Sequence, residues 1–256
     1  MLGPNNAWKI MLLALLSDIH GNREAFEAAL AGARAAGAER FVLLGDIVGY
    51  GADPEWCAEQ AMELAAQGAV VLRGNHDEAV GNPSVSMNPT AAFALEWTRR
   101  QLGSRTRAFL STLPFTAREG ECQFVHADAS APEDWNYVLD VADAGAHLAA
   151  CAARVSFCGH VHKPALYSAA AGGKVTYFRP VAMTPVPLLP QRRWLAVMGA
   201  VGQPRDGDPN AAFALYDTES ASLRFMRVAY DIEKAAQKIR AAGLPVSLAD
   251  RLFRGR

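Results

Sequence analysis

The chain has few cysteines, and none of them is spaced for a metal site. Cys57, Cys122, Cys151 and Cys158 are scattered through 256 residues without a C-x-x-C pair. This spacing argues against a cysteine-rich zinc site. Isolated cysteines of this kind are typical of reduced, buried thiols in a reducing compartment. We therefore expect a cytoplasmic protein without a structural disulfide.

A long hydrophobic run and an excess of charge are also missing. The most apolar segment, WKIMLLALL at 8–16, is too short to span a bilayer and lacks a signal-peptide cleavage site. It predicts a buried strand, and we expect no membrane partner. Lys and Arg number 25 against 26 Asp and Glu, which is not the charge signature of a protein that binds nucleic acid. Nothing in the sequence indicates an oligomer.

The length and composition suit one folded domain. The chain is 51% hydrophobic and 20% charged, the ordinary mix of a globular protein. It contains no internal repeat, low-complexity tract or convincing linker, so we predict a single domain over 1–256. Residues 1–8 lack periodicity and are expected to form a disordered leader without a functional role. Residues 231–256 are expected to form a C-terminal helical extension, with helices near 231–242 and 247–253.

Apolar runs alternate with helical patterns in the first third of the chain. Strands are predicted at 10–16, 40–46 and 69–77, and helices follow the first two of them, the second from about 54 to 67. This alternation indicates a layered α/β fold with right-handed crossovers.

The rest of the chain has a different pattern. We expect a helical cover at 89–113, strands at 122–128 and 154–164, and an alanine-rich helix at 141–153. Four short apolar runs then predict antiparallel strands: KVTYF, RRWLAVMGA, AAFALYD and SLRFMRVAY.

Polar side chains follow the predicted strands where each strand ends. The segments LLSDIHGN, LLGDIVGYG and LRGNHD close the first three strands, and ligands bind at the carboxyl ends of strands in open α/β sheets. Five of the six histidines belong to this group, while His147 is expected on a helix surface or packed. The full set is Asp18, His20, Asp46, Asn75, His76, His126, His160 and His162.

Oxygen and imidazole donors together suit borderline divalent metals. Manganese is the first candidate, with iron, zinc, nickel or cobalt as alternatives. The donors are too many for one tetrahedral zinc, so we expect two ions that share a ligand, with Asp46 as the bridge. Paired ions of this kind support in-line displacement at phosphorus.

The order of the motifs resembles the calcineurin-like metallophosphoesterase superfamily. The motifs are SDIH, LGDI, RGNHD, FVHA and CGHVH. The phrases LGDIVGYG, GHVHKP and VGQPRDGDP are similar to its small prokaryotic phosphodiesterase-like branch. The resemblance implies a four-layer α-β-β-α sandwich of two mixed sheets flanked by helices.

The resemblance also implies roles for individual residues. The first metal would be held by Asp18, His20, Asp46 and His162, and the second by Asp46, Asn75, His126 and His160. His76 would protonate the leaving oxygen or stabilise charge on the phosphoryl group, and Asp77 could orient the His76 ring through a hydrogen bond.

The implied activity is metal-dependent hydrolysis of phosphoesters by a metal-bound hydroxide. No Gly-x-Ser-x-Gly elbow or plausible catalytic cysteine competes with it. Protein phosphatases of the superfamily carry Arg after the second-motif Asp and G-N-H-E, whereas this chain has GDIVGYG and GNHD. We therefore expect a small-molecule or nucleotide phosphodiesterase. The alternatives are a nucleotide or protein phosphomonoesterase, a nuclease, and a non-catalytic metal-binding module.

Substrate recognition is expected in the loops, where the chain departs from the family. Ala127 replaces a common glycine, and Met198-Gly199-Ala200 stands where Asn-Pro-Gly-Ser is usual. Arg205 could reach a substrate phosphate or pair with Asp206 or Asp208. Three aromatic residues, Tyr50, Trp135 and Tyr137, are either substrate contacts or packed rings.

Overall fold

Three parallel strands and their crossover helices begin the fold. The computed structural model describes residues 11–170 and 172–256, so the leader expected at 1–8 lies outside the described residues. Strand β2 pairs in parallel with β1 and β3, which confirms the predicted strand–helix alternation. The elements are β1 (Leu12–Leu16), α1 (Arg23–Ala35), β2 (Arg40–Leu43), α2 (Pro54–Ala66) and β3 (Val70–Val71).

The third strand is shorter than predicted, because a helix begins inside the GNHD motif. Gly74 is the extended N-cap of α3, whose first turn contains Asn75, His76 and Asp77. The predicted helix at 89–113 is also two helices. The backbone of Leu102 is extended, and Glu55 accepts hydrogen bonds from the Gly103 amide and the Thr106 hydroxyl, so a new helix starts there. The elements are α3 (Asn75–Gly81), α4 (Pro89–Gln101) and α5 (Ser104–Thr112).

The remaining strands complete two mixed sheets. Within the described residues the sheets have the orders β3-β2-β1-β11-β12-β9 and β4-β5-β6-β10-β7-β8. The antiparallel pairing predicted for the last four apolar runs holds for β8, β11 and β12, whereas β10 pairs antiparallel with β7 and in parallel with β6. The strands are β4 (Thr116–Glu119), β5 (Cys122–Val125), β6 (Val155–Cys158), β7 (Ala165–Ala169), β8 (Val175–Phe178), β9 (Pro185–Pro187), β10 (Arg193–Val197), β11 (Ala211–Asp217) and β12 (Ser222–Val228).

Successive side chains of β1 point to opposite faces of its sheet and pack in two different layers of the fold. Leu13 and Leu15 pack between the two sheets, against residues such as Phe124 and Phe157. Ala14 and Leu16 point to the other face and pack with α1 and α2. Because side chains alternate across a strand, one apolar run can face both layers. Helix α6 (Val141–Ala150) covers the outer face of the second sheet. This is the four-layer arrangement of two mixed sheets expected from the resemblance.

The C-terminal segment packs onto the body of the fold. Helices α7 (Ile232–Ala241) and α8 (Val246–Leu252) form an apolar cluster with α4 and Tyr50. The amide of Gly207 donates to the carbonyl of Gly255 at 2.9 Å, which ties the chain end to the GQPRDGDP loop. The single-domain organisation over 1–256 stays a prediction.

Two further expectations concern the cysteines and the membrane. All four cysteines are free thiols and all are buried. Burial raises the pKa of the Cys122 thiol to about 12 and that of Cys158 further still. Among the helices of the described residues, none is both long and apolar enough to cross a bilayer.

Candidate metal centre

The strand ends bring the predicted polar residues to one edge of the two sheets. Asp18 and His20 follow β1, Asp46 follows β2, and Asn75 and His76 open α3 after β3. His126 follows β5, and His160 and His162 follow β6. Every one of these side chains is buried. Parallel strands end at the same sheet edge, which explains the convergence.

Two groups of ligand atoms form within this cluster. Asp18, His20, Asp46 and His162 offer four atoms that all lie within 4.8 Å of one another. Asp46, His126 and His160 form the second group within the same limit. The Asp46 carboxylate belongs to both, and its Oδ2 lies 3.5 Å from His20 Nε2 and 3.5 Å from His126 Nε2.

The donors inside the cluster fit divalent cations. His20 Nε2 faces His162 Nε2 at 3.1 Å, and His126 Nε2 faces His160 Nδ1 at 3.2 Å. Asp18 Oδ1 and Asn75 Oδ1 are buried, and neither has a hydrogen-bond partner among the residues that the structure describes. Unpaired buried polar atoms are costly, and converging lone pairs are what a cation needs. Asn75 lies beside the second group, because it lines a cavity together with Asp46 and His160.

Backbone carbonyls orient three of the imidazole rings. His126 Nδ1 donates to Leu44 O at 2.9 Å, and His162 Nδ1 donates to Gln203 O at 2.6 Å. His20 Nδ1 makes the same contact with Val48 O at 3.3 Å. A proton held at Nδ1 leaves the Nε2 lone pair free and directed into the cluster, the arrangement that metal-binding histidines use.

The loops that carry the ligands have an unusual backbone. Asp18, His20, Asp46, His160 and His162 all have positive φ, between 50° and 66°. Each such residue costs about 1–3 kcal/mol and persists where the surroundings enforce it, commonly at functional sites. Tyr50 and Trp135, which lie near the cluster, share this conformation.

Charge in the cluster is balanced by neighbouring rings and carboxylates. Burial disfavours the charge of Asp18 and Asp46, but the adjacent histidines outweigh it and hold both pKa values below their usual range. Burial lowers the pKa of His126, but Asp46 outweighs it and raises the value to about 9. Burial and the nearby His126 lower the pKa of His160 to about 3.

Asp77 has a different place from the one expected. Its carboxylate accepts hydrogen bonds from the backbone amides of Ile47, Val48 and Gly74 at 3.0–3.2 Å. Among the described residues, Asp77 makes no hydrogen bond to the His76 ring, and His76 Nδ1 has no hydrogen-bond partner. The hydrogen bonds of Asp77 instead hold the loop after Asp46 against the N-terminus of α3. Burial and Asp46 raise the pKa of Asp77 to about 7.

His76 lies in the cavity wall, beside the ligands. Its ring centroid is 4.8 Å from that of His20 and 4.5 Å from that of Tyr50. Its backbone amide donates to Asp46 Oδ1 at 2.9 Å. The ring is therefore held close to both metal-ligand groups while belonging to neither.

His147 is packed, one of the two alternatives expected for it. The side chain is 0% exposed and lies in hydrogen-bond contact with Ser156 Oγ at 2.7 Å and the Ala129 amide at 3.1 Å. These contacts hold the loop that follows His126 against α6 and β6.

Arg205 and Tyr50 line a cavity of about 540 Å³ together with Asp46, Asn75 and His76. Within the described residues Arg205 makes no ion pair with Asp206 or Asp208, which pair with Arg227. The Arg205 guanidinium lies 5.9 Å from the centroid of the Tyr50 ring.

The aromatic loop after His126 lies at the mouth of this cavity. Tyr137 stacks on His160 with ring centroids 4.1 Å apart and is 48% exposed. Trp135 packs between Phe115 and His126, at centroid distances of 5.7 and 5.9 Å. It also lines a neighbouring cleft with Glu133 and Asp134.

Sequence reasoning assigned no role to Arg251, in the wall of the cavity, or to its hydrogen-bond partner Gln203. Arg251 lies on α8, and Gln203 joins Arg251 to Arg205. Gln203 lies in the quoted VGQPRDGDP phrase without an obvious role. Arg251 belongs to no motif, and only the folded chain reveals its position.

Comparison with known proteins agrees with this geometry. The family model described as the calcineurin-like phosphoesterase superfamily domain matches residues 11–221. The chain belongs to the calcineurin-like phosphoesterase superfamily. Members of this superfamily are generally metal-dependent hydrolases of phosphoesters and use divalent ions, in agreement with the two groups of donors.

Relatives extend the likeness to the whole fold. The protein MJ0912 of Methanocaldococcus jannaschii, described as uncharacterized, is 34% identical over 96% of this chain and 98% of its own length. A metallophosphoesterase from Sphaerobacter thermophilus is 34% identical, with a TM-score of 0.85, over 96% of this chain and 100% of that one. The hypothetical protein PH1004 from Pyrococcus horikoshii OT3 is 21% identical, with a TM-score of 0.77 over 96% and 98% of the two chains, and shares the calcineurin-like fold.

Proposed function

We propose that this chain is a two-metal phosphodiesterase for small-molecule or nucleotide substrates. The observation that carries the proposal is the sharing of Asp46 by two groups of buried ligands. A bound pair of divalent ions supplies Lewis acidity and an activated water for displacement at phosphorus. Manganese is the proposed ion, because carboxylate and imidazole donors together suit it. The free, buried thiols favour a reducing, cytoplasmic location.

The proposed ligand sets follow the two groups. Asp18, His20, Asp46 and His162 hold one ion. Asp46, Asn75, His126 and His160 hold the other, with Asn75 supported by its unpartnered, buried Oδ1. The carbonyl contacts at Nδ1 of His20, His126 and His162 keep these rings oriented for the ions.

His76 is the proposed catalytic side chain that is not a ligand. It lines the cavity beside both ligand groups, where it can donate a proton to the leaving oxygen or stabilise charge on the phosphoryl group. Asp77 acts as a positioning residue, because it ties the backbone of the Asp46 loop to the helix that carries His76. Arg205 and Tyr50 are the proposed substrate contacts.

The experiment compares a diester with a monoester after metal removal. Chelator-treated protein is assayed on bis-p-nitrophenyl phosphate and p-nitrophenyl phosphate, with and without added manganese. We expect metal-dependent turnover of the diester, lost together with bound metal in Asp46→Asn and retained in Asp250→Asn, a control at an exposed carboxylate paired with Arg240. Turnover of the monoester alone would overturn the diesterase preference. No metal-dependent turnover of either ester would overturn the proposal.

A further inference from the structure

Two arginines share one neutral partner in the wall of the cavity. Arg205 Nη2 donates to Gln203 Oε1 at 2.9 Å, and Arg251 Nη1 donates to the same oxygen at 3.0 Å. Arg205 comes from the GQPRDGDP loop and Arg251 from α8. The fold therefore brings together two positive charges that are 46 positions apart in the chain.

Neither guanidinium has an acidic partner in the part of the chain that the structure describes. Among the described residues, no carboxylate lies within 4.0 Å of either guanidinium. Each guanidinium donates one NH2 group to Gln203, and among the described residues Arg205 Nη1 and Arg251 Nη2 have no hydrogen-bond partner. Burial and the charge of Arg205 lower the pKa of Arg251. Two adjacent cations with free hydrogen-bond donors can bind an anion. The planar guanidinium group is suited to phosphate in particular, because it can donate two parallel hydrogen bonds to it.

Gln203 links the two arginines to the metal-ligand cluster. The side-chain oxygen of Gln203 accepts hydrogen bonds from both guanidinium groups. Its backbone carbonyl accepts a hydrogen bond from His162 Nδ1 at 2.6 Å. The Tyr50 ring lies 4.6 Å from that of His20 and 5.9 Å from the Arg205 guanidinium.

The size and charge of the cavity agree with a second anion. About 540 Å³ is the size of pockets that enclose a nucleotide-sized molecule rather than a lone phosphate. Asp46, buried among the ligands, is the one carboxylate among the residues described as lining this cavity. The neighbouring cleft contains Glu133 and Asp134 instead, so an anionic group is favoured on the arginine side.

We infer that Arg205 and Arg251 bind a second phosphate of the substrate, and that Arg251 selects phosphodiesters that carry one. The inference rests on the proposed function, because it deepens the substrate class of the same site. The favoured substrate is a nucleotide-like diester with a further phosphate on one arm, held by the two guanidinium groups while the ester phosphate lies at the metal ligands.

The test uses two chromogenic esters that differ only in this phosphate. They are the p-nitrophenyl ester of thymidine 5′-phosphate with and without a 3′-phosphate. We expect wild-type protein to have the higher kcat/KM for the bisphosphate. In Arg251→Gln the ratio of the two kcat/KM values falls at least about tenfold, mainly through KM, as expected for the loss of a hydrogen bond to a charged group. Arg251→Lys retains part of the ratio, because it retains the charge.

A control and a binding measurement separate the possible failures. Arg254→Gln, an exposed position in the same segment, leaves the ratio unchanged. A merely structural role of Arg251 lowers both kcat/KM values equally, and an unchanged ratio overturns the inference. If wild-type protein hydrolyses neither ester, calorimetry decides the inference, and the assay on bis-p-nitrophenyl phosphate separately decides the proposed function. Metal-free wild-type protein must then bind thymidine 3′,5′-bisphosphate at least about tenfold more tightly than Arg251→Gln, and equal affinities overturn it.

Discussion

Gly49→Ala tests the placement of His76 without changing a polar group. Gly49 has φ +92°, and a Cβ atom there would lie inside contact distance of His76 Nδ1, 3.0 Å from its Cγ and 3.3 Å from its Cβ. Because the clash includes the root of the side chain, rotation of the ring does not relieve it. The imidazole must move by roughly 1 Å, and a displacement of that size at a reacting group reduces the rate on the order of hundredfold.

Gly68→Ala is the matched control for this substitution. Gly68 has φ +94°, and a Cβ atom there meets nothing within 4 Å. Alanine in the left-handed region lowers the free energy of unfolding of both variants by about 1–2 kcal/mol. The clash lowers that of Gly49→Ala by about a further 1–3 kcal/mol. Each kcal/mol lowers the Tm by about 2–4 °C in a chain of this size.

The assay compares kcat on bis-p-nitrophenyl phosphate for the two variants, well below both Tm values and at equal metal content. We expect Gly49→Ala to be roughly hundredfold slower than Gly68→Ala. Equal rates would refute the reasoning, because His76 would then be displaced without consequence for catalysis.

Two further predictions concern packing and ion pairing. Trp135 contacts Phe115 and His126, so Trp135→Ala should destabilise the protein by about 2 kcal/mol and slow bis-p-nitrophenyl phosphate and nucleotide hydrolysis in equal proportion; a loss confined to nucleotides at unchanged Tm would contradict packing. Burial raises the pKa of Glu24, but its 2.6 Å ion pair with Lys238 outweighs burial and holds the value below 4.5. The free energy of unfolding of metal-free wild-type protein should therefore exceed that of Glu24→Gln above pH 4.5, and the difference should shrink as the pH falls through the lower, folded-state pKa; a difference independent of pH would contradict this assignment.

The ligand cluster could be predicted because its chemistry is local in sequence. Each candidate ligand directly follows an apolar strand, and parallel strands end at a common edge. The motif order then indicated which residues share an ion. The same logic could not place Asp77, because its partners are backbone amides of Ile47, Val48 and Gly74. Whether the Asp77 carboxylate accepts a hydrogen bond from an imidazole ring or from backbone amides depends on the conformation of the folded loop.

Other parts of the fold could not be predicted, because the sequence pattern of those segments does not indicate their structure. Strands β4, β7 and β9 escaped prediction; they have three to five residues each, and β9 begins and ends with proline. The break at Leu102 depends on the Glu55 side chain, which comes from α2. Arg251 reaches the cavity only because α8 packs beside Tyr50. All of these are contacts between distant segments, which periodicity does not encode.

The number of metal ions needed for activity tests the central claim most directly. Chelator-treated protein is titrated with manganese while bound metal and hydrolysis of bis-p-nitrophenyl phosphate are measured on the same samples. Since Asp46 belongs to both ligand groups, activity should rise until two ions are bound per chain and then stay level. Full activity with one bound ion, or activity without metal, would contradict a shared two-metal centre.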